Sequence, residues 1–345
     1  MAQEYGKWKV IRALSEGGQA HTYLVAEDGA SDEEIFVLKR LKNSNRIKRF
    51  KEEIRACAEL SHPNILRVVD HNYESQKPYL VSEYLPGGSL SKVDITAYPL
   101  VERLRMFSEI CCAVGHAHAH KPTIVHRDLK PDNIFLRADM KTPVVGDFGI
   151  CFIDEDGERA TIVDEAVGSR RFTAPELEDG RADEVGPASD VYSLGKMLYW
   201  MLAGKVFERE KHREARFDLT QNATEPSMHF VYDVLDKTIL LDASKRLPKA
   251  RALADAVDEV IKKILVNAHP LDLGAPQQCL YCGVGMYKKR VETDISNPIP
   301  GSNMLDNSGF RFINNQRWLI LICDNCGNSQ IFVRNFPTTD KWKTS

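Results

Sequence analysis

Residues 8–41 alternate apolar and polar positions, with glycine interruptions, a period-two pattern that predicts three antiparallel strands. Over residues 46–60 the spacing becomes helical. Phe50, Ile54, Cys57 and Leu60 fall on one face, and His62-Pro63-Asn64 stops the run. Two more strand-like runs follow, ending at Tyr79-Leu80-Val81, and Pro86-Gly87-Gly88-Ser89 is a turn-rich break. Residues 100–265 then read as mostly helical, with 104–118 and 191–202 the longest apolar-rich stretches and a loop-rich centre over 120–190. Residues 267–278 carry two prolines and a glycine and mark a boundary. Beyond it come short strand-like runs at Phe310-Arg311-Phe312, 318–322 and 331–333. The pattern is that of an α+β chain: a β-rich part, a helical part and a small β-rich end.

Composition narrows the function without naming it. The 345 residues carry a formal net charge of -3, so the chain as a whole has no basic attraction to nucleic acid. No apolar run reaches the ~18 residues that a bilayer requires. The start, Met1-Ala2-Gln3-Glu4-Tyr5, has no apolar signal core, and Ala2 stands where myristoylation needs glycine. The expectation is a cytoplasmic protein without a membrane partner. Of eight cysteines, Cys57, Cys111, Cys112 and Cys151 sit in apolar segments and read as buried thiols. The other four form two Cys-x-x-Cys pairs, which in a reducing compartment suggest metal ligands rather than disulfides.

The chemistry lies in the centre. His126-Arg127-Asp128-Leu129-Lys130-Pro131-Asp132-Asn133 is an octapeptide in which an acid, an ammonium and an amide stand two, then three residues apart. Asp147-Phe148-Gly149 follows fourteen residues after Asn133, and Ala174-Pro175-Glu176 comes later. This set resembles the H-R-D-L-K-P-x-N, D-F-G and A-P-E motifs of the protein kinase superfamily. Asp190-Val191-Tyr192-Ser193-Leu194-Gly195 resembles the start of the family's large central helix. Arg246 sits where the family pairs an Arg with the Glu of A-P-E, here Glu176.

The resemblance implies a bilobal fold over 8–267, with an N-lobe of about 8–85 and a C-lobe of about 86–267. It implies ATP and Mg²⁺ as cofactors and proteins bearing Ser or Thr as substrates. Asp128 would accept the proton of the substrate hydroxyl, Lys130 would steady the transferring group, and Asn133 and Asp147 would hold Mg²⁺. A Lys two residues after the Asp is the serine/threonine pattern. Phe36-Val37-Leu38-Lys39 resembles the V-A-I-K strand, so Lys39 would contact the α- and β-phosphates and pair with Glu53, nine residues before His62. Glu83-Tyr84-Leu85 resembles the hinge whose backbone bonds adenine, with Ser82 a small residue at the gatekeeper position. Leu14, Thr22 and Val37 above the base and Phe135 below it complete the implied pocket.

Two departures stand out. The phosphate-covering loop should read G-x-G-x-x-G-x-V, but here Ser15, Gly17, Ala20 and Thr22 occupy its four defined positions. Only the middle glycine is kept, which leaves a nucleotide-binding pseudokinase scaffold as the alternative. In the activation segment Gly168-Ser169 aligns with the family's G-T, and counting back puts the usual phosphosite on Glu165, beside Asp164. A fixed carboxylate there would meet Arg127 in place of a phosphate, with Thr161 and Ser169 as remaining candidate phosphosites.

After a linker at 268–276, residues 277–338 hold Cys279-Leu280-Tyr281-Cys282-Gly283 and Cys323-Asp324-Asn325-Cys326-Gly327. A C-x₂-C turn supplies two thiolates and two such turns make a tetrahedral Zn²⁺ site with no open position. The pair resembles a zinc ribbon with a structural zinc. From 277 onward eight Lys/Arg face five Asp/Glu, with Tyr287, Phe310, Phe312 and Trp318 among them. That mixture leaves open either a protein or a nucleic-acid ligand for the module.

Overall fold

The computed structural model describes residues 4–16, 20–29, 34–42, 47–75, 77–148, 171–219, 228–268, 277–278, 286–294, 317–323 and 329–334. Gly17, Thr161, Glu165, Ser169, Cys151, Phe310, Phe312, Cys279, Cys282 and Cys326 lie outside them, as do the side chains of Glu53 and Cys323. Contacts divide the chain into two units, 1–264 and 265–345.

The first unit opens with an antiparallel sheet in the order β1-β2-β3-β4-β6-β5. Its strands are β1 (Glu4–Tyr5), β2 (Trp8–Glu16), β3 (Ala20–Glu27), β4 (Phe36–Leu41), β5 (Val68–Asn72) and β6 (Tyr79–Glu83). The period-two pattern sorts its side chains. Val25, Leu38, Tyr79 and Val81 join Tyr5 and Trp8 in one apolar cluster, while Leu80 packs with Phe50 and Ile54 of helix α1 (Ile47–Glu59) in another. The indole N–H of Trp8 donates to Asp70 at 2.6 Å, fastening β2 to β5 across the sheet.

The rest of the unit is mostly helical: α2 (Leu100–Ala119), α3 (Pro175–Glu178), α4 (Pro187–Ala203), α5 (His229–Leu235) and α6 (Ala250–Ala268). A small sheet, β7 (Gly88–Ser89), β8 (Ile134–Leu136) and β9 (Pro143–Val145), lies against α2. Helix α4 is buried on all sides, as its near-continuous apolar run requires. Pro187 starts it at N1, and Gly204 ends it in the left-handed conformation, φ 67°, with its N–H on the Trp200 carbonyl. The helix passes so close to Thr238 that a Cβ at Gly195 would overlap that side chain. Arg103 of α2 donates to the Met201 and Leu202 carbonyls at 3.2 and 2.9 Å, satisfying acceptors that a helix end leaves open.

The second unit contains an antiparallel sheet, β10 (Gln277–Gln278), β11 (Met286–Asp294), β12 (Arg317–Cys323) and β13 (Ser329–Arg334), in that order. The expected runs at 318–322 and 331–333 lie within β12 and β13. Strand β11 was not expected, because Lys288-Lys289-Arg290 and Glu292-Thr293-Asp294 hide its single Val291 in a charged stretch. Its pairing with β12 carries a bulge between Lys289 and Val291. Among the described residues no helix is long and apolar enough to cross a membrane.

A buried ion pair ties α3 to the chain before α6. Arg246 grips Glu176 with two parallel bonds, at 2.6 and 2.9 Å, both side chains being almost fully buried. Burial pushes the Glu176 carboxyl up, but the hydrogen bonds from Arg246 and Ser189 outweigh it and hold the group below its ordinary value. The pair's contribution is therefore complete above the ordinary glutamate pKa and is lost as pH falls through the lower, folded value. Glu176→Ala should lower stability by about 3 kcal/mol, because it strands a buried guanidinium. Denaturant midpoints at neutral pH and in acid check this, and the gap between wild type and variant should shrink in acid.

Candidate active site

The octapeptide starts from a buried carboxylate that the sequence reading did not single out. Asp190, in the first turn of α4, is completely buried. Its Oδ2 accepts from the His126 amide at 2.8 Å and its Oδ1 from the Arg127 amide at 2.8 Å. Its Oδ2 also accepts from His118 Nε2 at 2.8 Å. Burial raises the Asp190 carboxyl, yet the His118 contact and the other bonds hold it below its ordinary range. His118 is fixed in turn, since the Ala250 amide donates to its Nδ1 at 3.3 Å. The sequence signals for this were the family-like start of the helix at Asp190 and an acid inside a mostly apolar run.

Bonded from below, Arg127 adopts φ 67°, a left-handed conformation rare for a residue with a Cβ. The next residue, Asp128, is thereby aimed into the cleft. His126 reinforces the turn: its Nδ1 accepts from the Asp128 amide at 3.3 Å, and its Nε2 bonds the Gly146 carbonyl at 2.9 Å. The Asp128 carboxylate accepts from Lys130 Nζ at 3.1 and 2.9 Å. Asn133 Nδ2 donates to the same carboxylate at 3.0 Å and to the Asp128 carbonyl at 2.7 Å. Both partners of Nδ2 are pure acceptors, which assigns the amide's NH₂ to that side and turns its oxygen the other way.

The second half of the site comes from residue 147. Phe148 is buried in the core of the helical part, its ring 4.7 Å from that of His126, and Asp147 takes φ 49°. Its carboxylate meets Lys39 of β4, with Nζ 2.9 Å from Oδ1. Burial raises this carboxyl, but the charge and hydrogen bond of Lys39, with lesser help from His126 and Lys130, hold it below its ordinary value. The Gly146 amide donates to the Asn133 carbonyl at 2.9 Å, so the two halves share a backbone link. Asp128, Lys130, Asn133, Asp147 and Lys39 therefore stand around one cleft. The pseudokinase alternative gains no support from this arrangement.

Several of the residues expected at the nucleotide lie on β2, β3, β4 and β6, the sheet that carries Lys39. Val37 pairs with Ser82 and Lys39 with Leu80 between β4 and β6. Ser82 is buried, Leu85 is buried, and Thr22 and Phe135 are half-buried. Leu14 is the extra residue of a bulge between the pairs Ala13–Tyr23 and Ser15–Thr22, a device that re-aims a side chain. The Glu83 side chain accepts from Arg137 at 3.1 Å and from the Arg67 amide at 3.0 Å, and the Glu83 amide donates to the Arg67 carbonyl at 3.0 Å. Gly146 was missed by sequence reasoning: a Cβ there would come within 2.8 Å of the Phe135 ring, so only glycine lets that floor lie flat. Glu53 lies on α1, with its side chain outside the described residues.

The donor set suits Mg²⁺. A carboxylate oxygen of Asp147 and the amide oxygen of Asn133 are hard ligands, and Mg²⁺ usually takes one or two protein oxygens together with phosphates and water. Among the described residues no cluster of three or more His, Cys, Asp or Glu is arranged to hold a metal.

Comparison with known proteins agrees with this geometry. Residues 8–278 match the protein kinase domain family. The chain is 35% identical over 208 residues to the serine/threonine-protein kinase PrkC of Bacillus subtilis, covering 58% of this chain and 31% of that protein. It is 29% identical over 303 residues to the tyrosine-protein kinase MasK of Myxococcus xanthus, covering 80% and 46%. With the serine/threonine-protein kinase Pkn1 of Myxococcus xanthus it shares 30% identity over 71% of this chain and 36% of that one. The chain thus spans less than half the length of each of these relatives. The kinase domain of Mycobacterium tuberculosis PknI shares its fold, with TM-score 0.58 and 23% identity over 76% of this chain and 98% of that one. On its motifs, its cleft and its match over most of its length, this chain belongs to the protein kinase family.

Proposed function

We propose that the chain transfers the γ-phosphoryl group of ATP to Ser and Thr hydroxyls of proteins. The observation that carries this reading is the Asp128 carboxylate, held by Lys130 and Asn133 in the cleft where Lys39 meets Asp147. Asp128 orients the acceptor hydroxyl and takes its proton as the phosphorus–oxygen bond forms. Lys130, already beside that carboxylate, lies where it can balance charge on the group in flight. Lys39 holds the α- and β-phosphates. An ion held by Asn133 and Asp147 would supply charge neutralisation for the phosphate oxygens. The Ser/Thr preference is supported by Lys130 and by the names of PrkC and Pkn1, whereas MasK is named for tyrosine.

Arg127 supports the activation-segment reading. Its Nε is buried without a hydrogen-bond partner among the described residues, a donor that an anion would satisfy. In this reading the anion is the carboxylate of Glu165 or Asp164, so basal activity needs no phosphate there.

The zinc reading draws support from strand register. Gln278 pairs with Met286, Tyr287 with Cys323, and Ile322 with Ser329. The chain therefore leaves β10 toward Cys279 and Cys282, and leaves β12 toward Cys326, from the same end of one sheet. A shared four-thiolate ion requires both C-x₂-C pairs at one end of a sheet. The module then serves as a docking element for protein or nucleic acid.

Three outcomes are expected. Asp128→Asn should lower phosphoryl transfer about a thousandfold with ATP affinity nearly unchanged, and phosphoamino-acid analysis of the product should show Ser and Thr. Product containing only phosphotyrosine would overturn the specificity. Glu165→Ala should reduce the activity of unphosphorylated protein about tenfold, a loss on the scale of one charge-assisted hydrogen bond. Purified full chain should carry one zinc by native mass spectrometry, and Cys279→Ser should abolish it while leaving ATP turnover measurable.

A further inference from the structure

Lys196 is the one described lysine whose side chain is wholly inside the protein, and no role assigned above uses it. It lies on α4, one residue after Gly195, with a relative exposure of 0%. Its ammonium group donates to the Phe207 carbonyl at 2.6 Å and the Arg209 carbonyl at 2.8 Å, and sits 3.8 Å from the centre of the Phe207 ring. Both carbonyls belong to the turn that follows α4. In that turn Arg209 is held at φ 51°, an unfavourable conformation for a residue with a Cβ. The strain has a visible consequence, since the Arg209 guanidinium is delivered to Glu178 of α3, at 3.0 Å. The next residue, Glu210, accepts from the Tyr192 hydroxyl at 3.0 Å, and Tyr192 lies under the Arg246 guanidinium that grips Glu176.

Helix α3 adjoins the catalytic turn. Glu176 is bonded by Ser189, and the adjacent Asp190 holds the amides of His126 and Arg127. The surface that residues 171–178 form thus lies beside the turn that carries Asp128, within reach of a chain presenting its hydroxyl there. We propose that Lys196 is a positioning residue for the protein substrate, holding the 207–210 turn so that Arg209 fixes the outer face of α3 against which the acceptor chain lies. This inference rests on the kinase reading.

The same geometry makes the grip sensitive to pH. The charges acting on the amine are Glu208 and Glu210 on the turn, Glu178 on α3 and Arg171 before it, with Tyr192 of its own helix bonded to Glu210. Burial dominates and brings the lysine from 10.5 down to about 7, against the raising influence of Glu210, Glu178 and Glu208 and with a smaller push from Arg171. Burial and then Glu210 raise the Tyr192 hydroxyl, which stays protonated. Opening the turn would hydrate the amine and restore its ordinary affinity for a proton. Between about pH 7 and the ordinary lysine value the open turn binds a proton that the closed turn does not, so rising pH favours the closed turn. Below about pH 7 the amine is charged in both, and the dependence vanishes.

The test uses the full chain, Mg-ATP and casein as the phosphoacceptor, from about pH 6 to pH 9, with wild type and Lys196→Met. In wild type, KM for casein should fall several-fold between about pH 7 and pH 9 and stay level below it, while KM for ATP changes less than about twofold. Lys196→Met should show a casein KM about fivefold higher at pH 9, the scale of one lost hydrogen bond, and no fall with pH beyond that of casein itself. Hydrogen exchange of amides 206–211 in wild type, corrected for intrinsic rates, should show protection rising over the same range, and this measurement stands even if the variant does not fold. A wild-type casein KM and loop protection that do not respond to pH, or a variant that keeps the wild-type slope, would overturn the proposal. A wild type with no phosphoryl transfer would instead sink the kinase reading, and casein binding followed by anisotropy across the same series would then decide the role of Lys196.

Discussion

The site depends on a single carboxylate placed under it. Asp190 is taken wholly out of water, at a cost of several kcal/mol for an unpaired ion. Two backbone amides of the catalytic turn and the His118 ring meet it there. The arrangement is worth that cost because the amides have few other partners once Arg127 adopts its left-handed conformation. The turn is held from beneath, by an element that is itself buried on all sides. Everything above it inherits that rigidity: the direction of Asp128, the reach of Lys130, and the amide of Asn133 bridging side chain and backbone. If Asp128 accepts the proton, as proposed, preorganisation of this kind would set it before substrate arrives, which is where phosphoryl transfer gains most of its rate.

Two further ion pairs, Glu176 with Arg246 and Lys39 with Asp147, differ from each other in a way that matches their positions. Glu176 and Arg246 are both sealed from solvent and doubly bonded, a fixed strut whose loss would strand a charge. Lys39 and Asp147 keep side-chain exposures of 27% and 39%. A pair so accessible contributes roughly 1 kcal/mol or less. Each partner is held near its working place, yet either can be drawn off when phosphate approaches the ammonium and a cation approaches the carboxylate. A strut as strong as the buried pair would oppose nucleotide at this position.

Much of this was legible in the sequence, for identifiable reasons. The helical stripe of Phe50, Ile54 and Cys57, the alternation in β2 to β4 and the mostly apolar run of α4 each bury side chains at their own period. The octapeptide and Asp147 could be read because their chemistry requires those residues at that spacing. What escaped was set by three-dimensional neighbours. Asp190 looked like part of a helix start, Gly146 like an ordinary glycine before Asp147, and Lys196 like a polar interruption in an apolar run. Strand β11 was hidden because charged residues fill most of its positions, while its backbone joins the sheet all the same. The two-residue β1 has too few positions to show any period at all.

The unusual phosphate-covering hairpin has a structural account in its strand register. Pairing between β2 and β3 continues through Ser15 with Thr22 and Glu16 with His21, and Ala20 pairs onward with Leu41. Ser15 and Ala20, the two places where the family pattern has its outer glycines, thus belong to paired, extended backbone. Extended backbone makes no demand for glycine's left-handed freedom, and a small side chain suffices to keep the surface near phosphate uncrowded. Gly17 and Gly18 lie outside the described residues. On this reasoning the departure from the motif bears on how closely the hairpin can approach phosphate. It does not bear on whether the hairpin forms.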